Sequence, residues 1–331
     1  MNFKEALGID VSKKTIDVHL HLKNVKKVFD NSDKGFKLMI NWVEKQSGIQ
    51  IKEIAICFEH TGLYSLSLSV FLDKNKIIYS MVPALEIKNS LGITRGKSDE
   101  VDALRISEYA YLRRDTLQAY QLPSEAILKL QKLVSLRAKL VTQRAGYKGA
   151  LKENKEMLKQ TENKLFFKIQ KKMITYFSKE IDSIEQEIKI LIKSDDEINR
   201  LYDLITSVKG IGFVLASHFL IITNCFTCFE NSRQFACYAG IAPFERQSGT
   251  SLNKAARVSH FANKKMKALL NVGAWSAIQN DPEIRNYYKK RVQSGKSKMS
   301  TVNIVRNKLV HRVFAVVKRG TPYVALNSYA A

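Results

Sequence analysis

The stretch Ala6-Leu-Gly-Ile-Asp-Val-Ser-Lys-Lys-Thr-Ile-Asp-Val-His-Leu-His-Leu22 decides how the N-terminal region folds. Ala6 to Ser12 is a short apolar run that ends in polar residues. Thr15 to Leu22 alternates apolar and polar positions, the period of two that a half-buried strand requires. The polar turn Ser12-Lys13-Lys14 joins the two as an antiparallel hairpin. Lys26 to Asn31 reads as a third strand, and a helix is expected over 34–46. Glu53-Ile-Ala-Ile-Cys-Phe58 is a buried strand that runs into Glu59-His60-Thr61-Gly62. A helix over 63–73, a strand over 77–82 closed by Pro83, a Gly- and Lys-rich loop over 92–97 and a helix over 98–113 complete the region.

The resulting order, β-β-β-α-β-α-β-α, predicts a mixed sheet covered by helices. Ribonuclease-H-like domains share this order. Residues 124–200 differ: Pro is absent after Pro123, and Ile174, Phe177, Ile181, Ile184, Ile188 and Leu191 are spaced 3-4-3-4-3. That is a heptad seam, and it predicts a long helical hairpin or coiled coil that pairs internally or with another copy. From residue 201 a mainly helical region is expected. The 331 residues thus divide into an α/β domain over 1–123, a helical connector over 124–200 and a C-terminal domain over 201–331.

Charge narrows the partners. The formal net charge is +23, which points to a polyanion. No apolar run approaches the ~20 residues of a spanning helix and no apolar leader opens the chain, so a cytoplasmic protein with a nucleic-acid partner and no membrane association is expected. Between Lys254 and Arg319 sixteen Lys or Arg face only Asp281 and Glu283. This excess suits phosphate neutralisation, with Lys254, Arg257, Lys264, Lys265 and Lys267 at its head. Lys209-Gly-Ile-Gly212 lies between two expected helices. It reads either as a helix-hairpin-helix turn whose Lys209, Gly210 and Gly212 hold a phosphate, or simply as a tight turn. The four cysteines, Cys225-x-x-Cys228 included, read as buried thiols.

In so basic a chain, acids at the ends of apolar runs stand out. Asp10 follows Leu7-Gly8-Ile9, Glu59 follows Ile54 to Phe58, and Asp99 and Asp102 are one helical turn apart. Two strands and one helix can bring these four carboxylates to one end of a sheet, where only bound cations would relieve their mutual repulsion. Oxygen ligands of this kind suit Mg2+ or Mn2+, and a metal pair serves phosphodiester chemistry. Asp17, Asp30 and Asp33 are nearby alternatives, but read as lying on a polar strand face or in turns. His60 adjoins Glu59, and His218 sits in an apolar helix as a core residue.

Gly8-Ile-Asp-Val-Ser-Lys13, Glu59-x-Thr61-Gly62 and Lys97-Ser-Asp-x-x-Asp-Ala103 together resemble the RuvC-like DEDD domain of a group of bacterial insertion-sequence transposases. Piv-type invertases and bridge-RNA-guided recombinases belong with it. Lys209-Gly-Ile-Gly212, Phe235 to Pro243 and Gln247-Ser-Gly249 resemble the group's C-terminal transposase domain. The resemblance implies that Asp10, Glu59, Asp99 and Asp102 bind catalytic metal, and that Ser248 forms a covalent phosphoserine link to DNA. Ser248 itself sits in what reads as a polar loop over 245–251, with Arg246 placed to steady phosphate charge and Ser251 as the alternative nucleophile. Ala256-Arg-Val-Ser-His-Phe-Ala262 departs from the group, which commonly carries glycines there.

The leading expectation is a DNA recombinase, guided by a bridge RNA and working as a homodimer or tetramer. Two alternatives stay open. One is a junction-resolving nuclease that uses the same acids to activate water. The other is a non-catalytic nucleic-acid-binding protein.

Overall fold

A computed structural model describes residues 3–90, 99–248 and 252–324, with the side chains of 99–100, 246–248 and 252–255 outside the description. The chain forms two compact units, Met1–Leu122 and Pro123–Ala331.

The first unit is built on a five-stranded sheet. β1 (Glu5–Val11), β2 (Thr15–Leu20) and β3 (Val25–Asp30) form an antiparallel meander. Helix α1 (Asp33–Ser47) follows, then β4 (Ile54–Glu59), α2 (Leu63–Lys74), β5 (Tyr79–Val82), α3 (Ala84–Ser90) and α4 (Asp99–Leu112). β4 lies parallel to β1, and β5 parallel to β4, giving the spatial order β3-β2-β1-β4-β5. The short α3 after Pro83 is an element that the sequence pattern does not announce. Caps set the ends of α1: the Ser32 side chain accepts from Gly35 N–H, and Gly48 closes the helix at φ 70°.

Strand alternation divides the core in two. Leu7, Ile9 and Val11 point to one face and pack with Phe36, Met39, Leu68 and Leu72 from α1 and α2. Ala6, Ala55 and Cys57 point to the other, where Ile106, Tyr109 and Ala110 of α4 cover them. On that face α4 meets the backbone of β1. A Cβ added to Gly8 would fall inside the van der Waals envelopes of Ser107 N and Ala103 O, both backbone atoms. His19, opposite Gly8 in the register, completes the seat through a 2.7 Å hydrogen bond between its Nδ1 and Ser107 Oγ.

The second unit opens with α5 (Glu125–Met157) and α6 (Lys164–Lys193), an antiparallel helical hairpin. The α6 seam faces α5. Phe177, Ile181 and Ile188 are buried, the Tyr147 ring lies tilted 5.6 Å from that of Phe177, and Arg137 pairs with Glu185 at 2.6 Å. The other seam residues, Ile174, Ile184 and Leu191, are half-buried. Ile127, Leu130, Val134, Ile188 and Ile192 also share one core with the helices that follow. Those are α7 (Asp196–Thr206), α8 (Phe213–Thr223), α9 (Ser232–Tyr238), α10 (Lys264–Asn280), α11 (Pro282–Gln293) and α12 (Lys298–Arg319). Between α9 and α10 stands a two-stranded ribbon, β6 (Pro243–Ser248) and β7 (Leu252–Val258). The polar loop expected over 245–251 is therefore corrected in part: residues 245–248 are strand, and 249–251 lie outside the described residues. No helix among the described residues is long and apolar enough to cross a membrane. All four cysteines are free, and they are not uniformly buried as expected. Cys57 is buried, Cys225 and Cys237 are half-buried, and Cys228, in the segment that follows α8, is exposed.

Two glycines give opposite tests of this packing. Gly8→Ala is expected to lower stability by about 3 kcal/mol, because neither backbone can yield to the added methyl group. Gly146→Ala, in open space within α5, is expected to raise it by about 1 kcal/mol through helix propensity. Urea unfolding followed by circular dichroism checks both, and a harmless Gly8→Ala would contradict the close approach of α4 to β1.

Candidate active site: a carboxylate cluster and a strand ribbon

Asp10 and Glu59 end neighbouring parallel strands. Ile9 of β1 pairs with Phe58 of β4, so the next residue of each strand, Asp10 and Glu59, emerges at the same sheet edge and on the α4 side. The Gly8 contact lays α4 across that side with Ala103 against β1, and Asp102 immediately precedes Ala103. Asp10, Glu59 and Asp102 are all half-buried. Their coupling is electrostatic: burial, and then the negative charges of Asp10 and Asp102, push the Glu59 carboxyl above its ordinary range. Asp102 also accepts from Arg105 at 3.1 Å.

A fifth acid lies beside them. Asp17 of β2 is the direct register partner of Asp10 and is half-buried. Directly opposed residues share a sheet face, so Asp17 belongs to the α4 side rather than to a solvated one. The alternation of β2 made it only an alternative to the four leading acids, because polar residues on a helix-covered face read as solvent-facing. Asp30 and Asp33 are exposed, as is His60. His218 is buried in α8 with its Nδ1 2.8 Å from the Val214 carbonyl, and burial lowers its pKa.

The Asp99 side chain lies outside the described residues. Among the described residues, no three His, Cys, Asp or Glu side chains already converge to enclose a metal ion. The donor set nevertheless fits a hard divalent cation. Asp10, Glu59 and Asp102 offer only oxygen, the donor type that hard divalent cations take.

The second unit presents the ribbon. Pro243 pairs with Val258, Phe244 with Arg257, Arg246 with Lys254 and Ser248 with Leu252, with a bulge between Phe244 and Arg246. Ser248 is the last residue of β6. Its side chain and those of Arg246 and Lys254 lie outside the described residues, as does Ser251.

The foot of the ribbon is held from both sides. The Ile241 carbonyl accepts from Asn303 Nδ2 at 2.8 Å and Asn307 Nδ2 at 3.0 Å. Gly240, at φ 64°, passes so close to Ala262 that a side chain would collide with it. Asn263, which caps α10, donates from its backbone to the Tyr238 carbonyl at 2.9 Å and from its side chain to the Tyr238 hydroxyl at 2.8 Å. Behind Asn303 lies Arg306, only 7% exposed, donating to Asn303 Oδ1 at 3.4 Å and to Asn271 Oδ1. Its Nε has no partner and it makes no ion pair among the described residues. Burial alone holds its pKa down.

Of the remaining basic residues, Lys209, Arg257, Lys264 and Lys265 are exposed and Lys267 is half-buried. Gly210, at φ 96°, packs against α10: a Cβ there would come 2.6 Å from the Gly273 carbonyl. Gly212 is the exposed N-cap of α8 and has free space around it.

Comparison with known proteins finds matches in both units. The family model DEDD_Tnp_IS110, described as a transposase, matches residues 7–161. A second, described as the transposase IS116/IS110/IS902 family, matches residues 202–289. Among curated relatives, the pilin gene-inverting protein of Moraxella lacunata is 26% identical over 97% of this chain and 98% of its own length, as is that of Moraxella bovis. An uncharacterised protein of insertion element IS110 from Streptomyces coelicolor is 27% identical over 43% of this chain and 34% of its own length.

The raised Glu59 pKa has a signed consequence. A carboxyl with a raised folded pKa favours the fold while protonated, and that contribution is lost as pH rises through the folded value. Glu59→Gln is therefore expected to raise the melting midpoint at neutral pH in EDTA. It is expected to have no effect below about pH 4, where the group is protonated in both states. Added Mg2+ should raise the wild-type midpoint more than that of the variant. Thermal melts across pH check this, and an equal effect at all pH values would contradict it. At the ribbon foot, Asn271→Asp gives Arg306 a counter-charge and is expected to stabilise the protein by about 1 kcal/mol, measured by urea unfolding.

Proposed function

We propose that this chain, which carries both domains of the IS110 family of transposases, cuts and rejoins DNA strands through a metal-binding carboxylate cluster and a serine nucleophile. The observation that carries the reading is the placement of Asp10 and Glu59 one residue beyond the Ile9–Phe58 pair of adjacent parallel strands, with α4 and its Asp102 laid across them. The sheet order agrees with a ribonuclease-H/RuvC-like domain. Relatives named for gene inversion align along nearly the whole chain. Inversion requires rejoining as well as cutting, which favours a recombinase over a nuclease.

Asp10, Glu59, Asp99 and Asp102 would hold Mg2+ or Mn2+, with Asp17 alongside as a fifth oxygen donor. The bound cation supplies charge neutralisation at a scissile phosphate and lowers the cost of deprotonating an attacking hydroxyl. Ser248, at the tip of β6, attacks the phosphorus. A bond forms from Ser248 Oγ to phosphorus, the bond to one sugar oxygen breaks, and that oxygen takes up a proton. Attack by a sugar hydroxyl of the exchanged strand reverses the step and frees the serine. Arg246 and Lys254, paired across the ribbon, place positive charge beside that phosphate. Lys209, Arg257, Lys264, Lys265 and Lys267 neutralise the backbone further along.

Exchange of two strands takes at least two nucleophiles, so the working form is a homodimer or tetramer. The family resemblance assigns target choice to a bridge RNA, whose pairing would read sequence while the protein reads backbone. The reaction belongs to the cytoplasm, where the DNA is.

A covalent adduct tests the reading. The protein is expressed with its native flanking DNA and Mg2+, and DNA-linked protein is resolved under denaturing conditions. The expected result is an adduct in wild type that is lost in both Ser248→Ala and Asp10→Ala, with the rate of strand joining reduced at least ~1,000-fold, as for loss of a nucleophile. Cleavage that persists in Ser248→Ala without an adduct would transfer the reading to a water-using nuclease.

A further inference from the structure

At the foot of the β6–β7 ribbon lies a cavity of about 520 Å3, lined by Cys237, Phe244, Glu245, Arg257, His260 and Phe261 among others. Its size falls within the roughly 300–1,000 Å3 of ligand pockets. Its walls are unusual. Phe244 is 48% exposed and Phe261 70% exposed, and neither ring stacks on another aromatic group among the described residues. Two phenylalanines left facing water at one pocket are costly to the free protein, since each ring would gain from burial. Arg257 is the direct cross-strand partner of Phe244, so its guanidinium stands on the same ribbon face. It makes no ion pair among the described residues. Aromatic faces beside an unpaired arginine make the chemistry that receives an unstacked base and its phosphate.

We propose that this pocket binds an unpaired nucleotide of the DNA strand being cut, with its base stacked on Phe244 and Phe261 and its phosphate on Arg257. The inference rests on the recombinase reading and adds a substrate feature to it. Double-stranded DNA keeps its base faces buried in the stack, so only an unpaired nucleotide offers a ring to these side chains. Glu245, at the pocket wall, can accept from an exocyclic amine of that base. DNA is the occupant because the pocket is built from the strand that carries Ser248. Three residues of β6 lie between Phe244 and Ser248, which are thus roughly 13 Å of strand apart, a distance that spans about four nucleotides of a stacked DNA strand. The pocket would thus hold the strand open beside the phosphate under attack, while the positive charge of the chain draws in the flanking backbone.

The test uses the full chain and three probes of one sequence: single-stranded DNA and RNA, each carrying 2-aminopurine as a stacking reporter, and a DNA duplex. Phe244→Ala and Phe261→Ala change exposed side chains and leave the core alone. Each is expected to weaken single-stranded DNA binding about tenfold, in line with the worth of one base–aromatic stack. Quenching of 2-aminopurine should be lost and duplex binding should be unchanged. Phe261→Trp should retain both quenching and affinity. The proposal is overturned if both alanine variants bind single-stranded DNA like wild type, if they lose duplex binding equally, or if the loss appears only with RNA. Duplex binding and the serine adduct are read in the same preparations. If the recombinase reading alone fails, the adduct is missing while aromatic-dependent quenching persists. If the pocket alone fails, the adduct forms without it.

Discussion

The contact between Gly8 of β1 and the backbone of α4 is the constraint on which the first unit depends. A helix ordinarily stands off a sheet by the thickness of its side chains. Here Ala103 and Ser107 rest directly on the strand because position 8 has no Cβ. The close approach has a cost in sequence freedom and a consequence in chemistry. It lowers the start of α4 toward the strand ends, where Asp10 and Glu59 emerge, and brings the charge of Asp102 to bear on Glu59. Like charges gathered in a half-buried site weaken the fold unless something offsets them. Within the cluster Arg105 pairs with Asp102, while Glu59 stays subject to burial and to its acidic neighbours.

The second unit solves a different problem. A two-stranded ribbon is marginal by itself, and this one carries the residues assigned to meet DNA. Its rigidity comes from its foot. The Ile241 carbonyl takes two amide donors from α12, Gly240 permits the incoming chain to touch Ala262, and Asn263 ties the outgoing chain back to Tyr238. Arg306 underpins Asn303 from within the core, a buried cation held by neutral amides. The same helices supply the rest of the core through α5 and α6, so the ribbon stands on the largest packed body of the molecule.

Much of this was legible in the sequence for physical reasons. Period two in residues 15–22 and the apolar run before Glu59 gave β1, β2 and β4, and the heptad spacing of Ile174 to Leu191 gave the hairpin of α5 and α6. Placing Asp10 and Glu59 at strand ends followed from the same patterns. Asp17 stood only as a nearby alternative because alternation cannot tell a solvated face from one covered by a helix. The ribbon escaped because Pro243-Phe-Glu-Arg-Gln-Ser248 has weak strand propensity and is held by side chains some sixty residues away in α12. Phe244 and Phe261 carried no signal, since a lone phenylalanine reads as core until its exposure is known. Ser248 carried none either, and it rests on family resemblance.

Anomalous scattering from crystals of the full chain soaked in Mn2+ tests the central claim most directly. The account predicts a manganese peak bounded by the carboxylates of Asp10, Glu59 and Asp102, absent from Asp10→Asn crystals of the same form. Manganese that bound elsewhere, or that stayed at this position after Asp10→Asn, would contradict it.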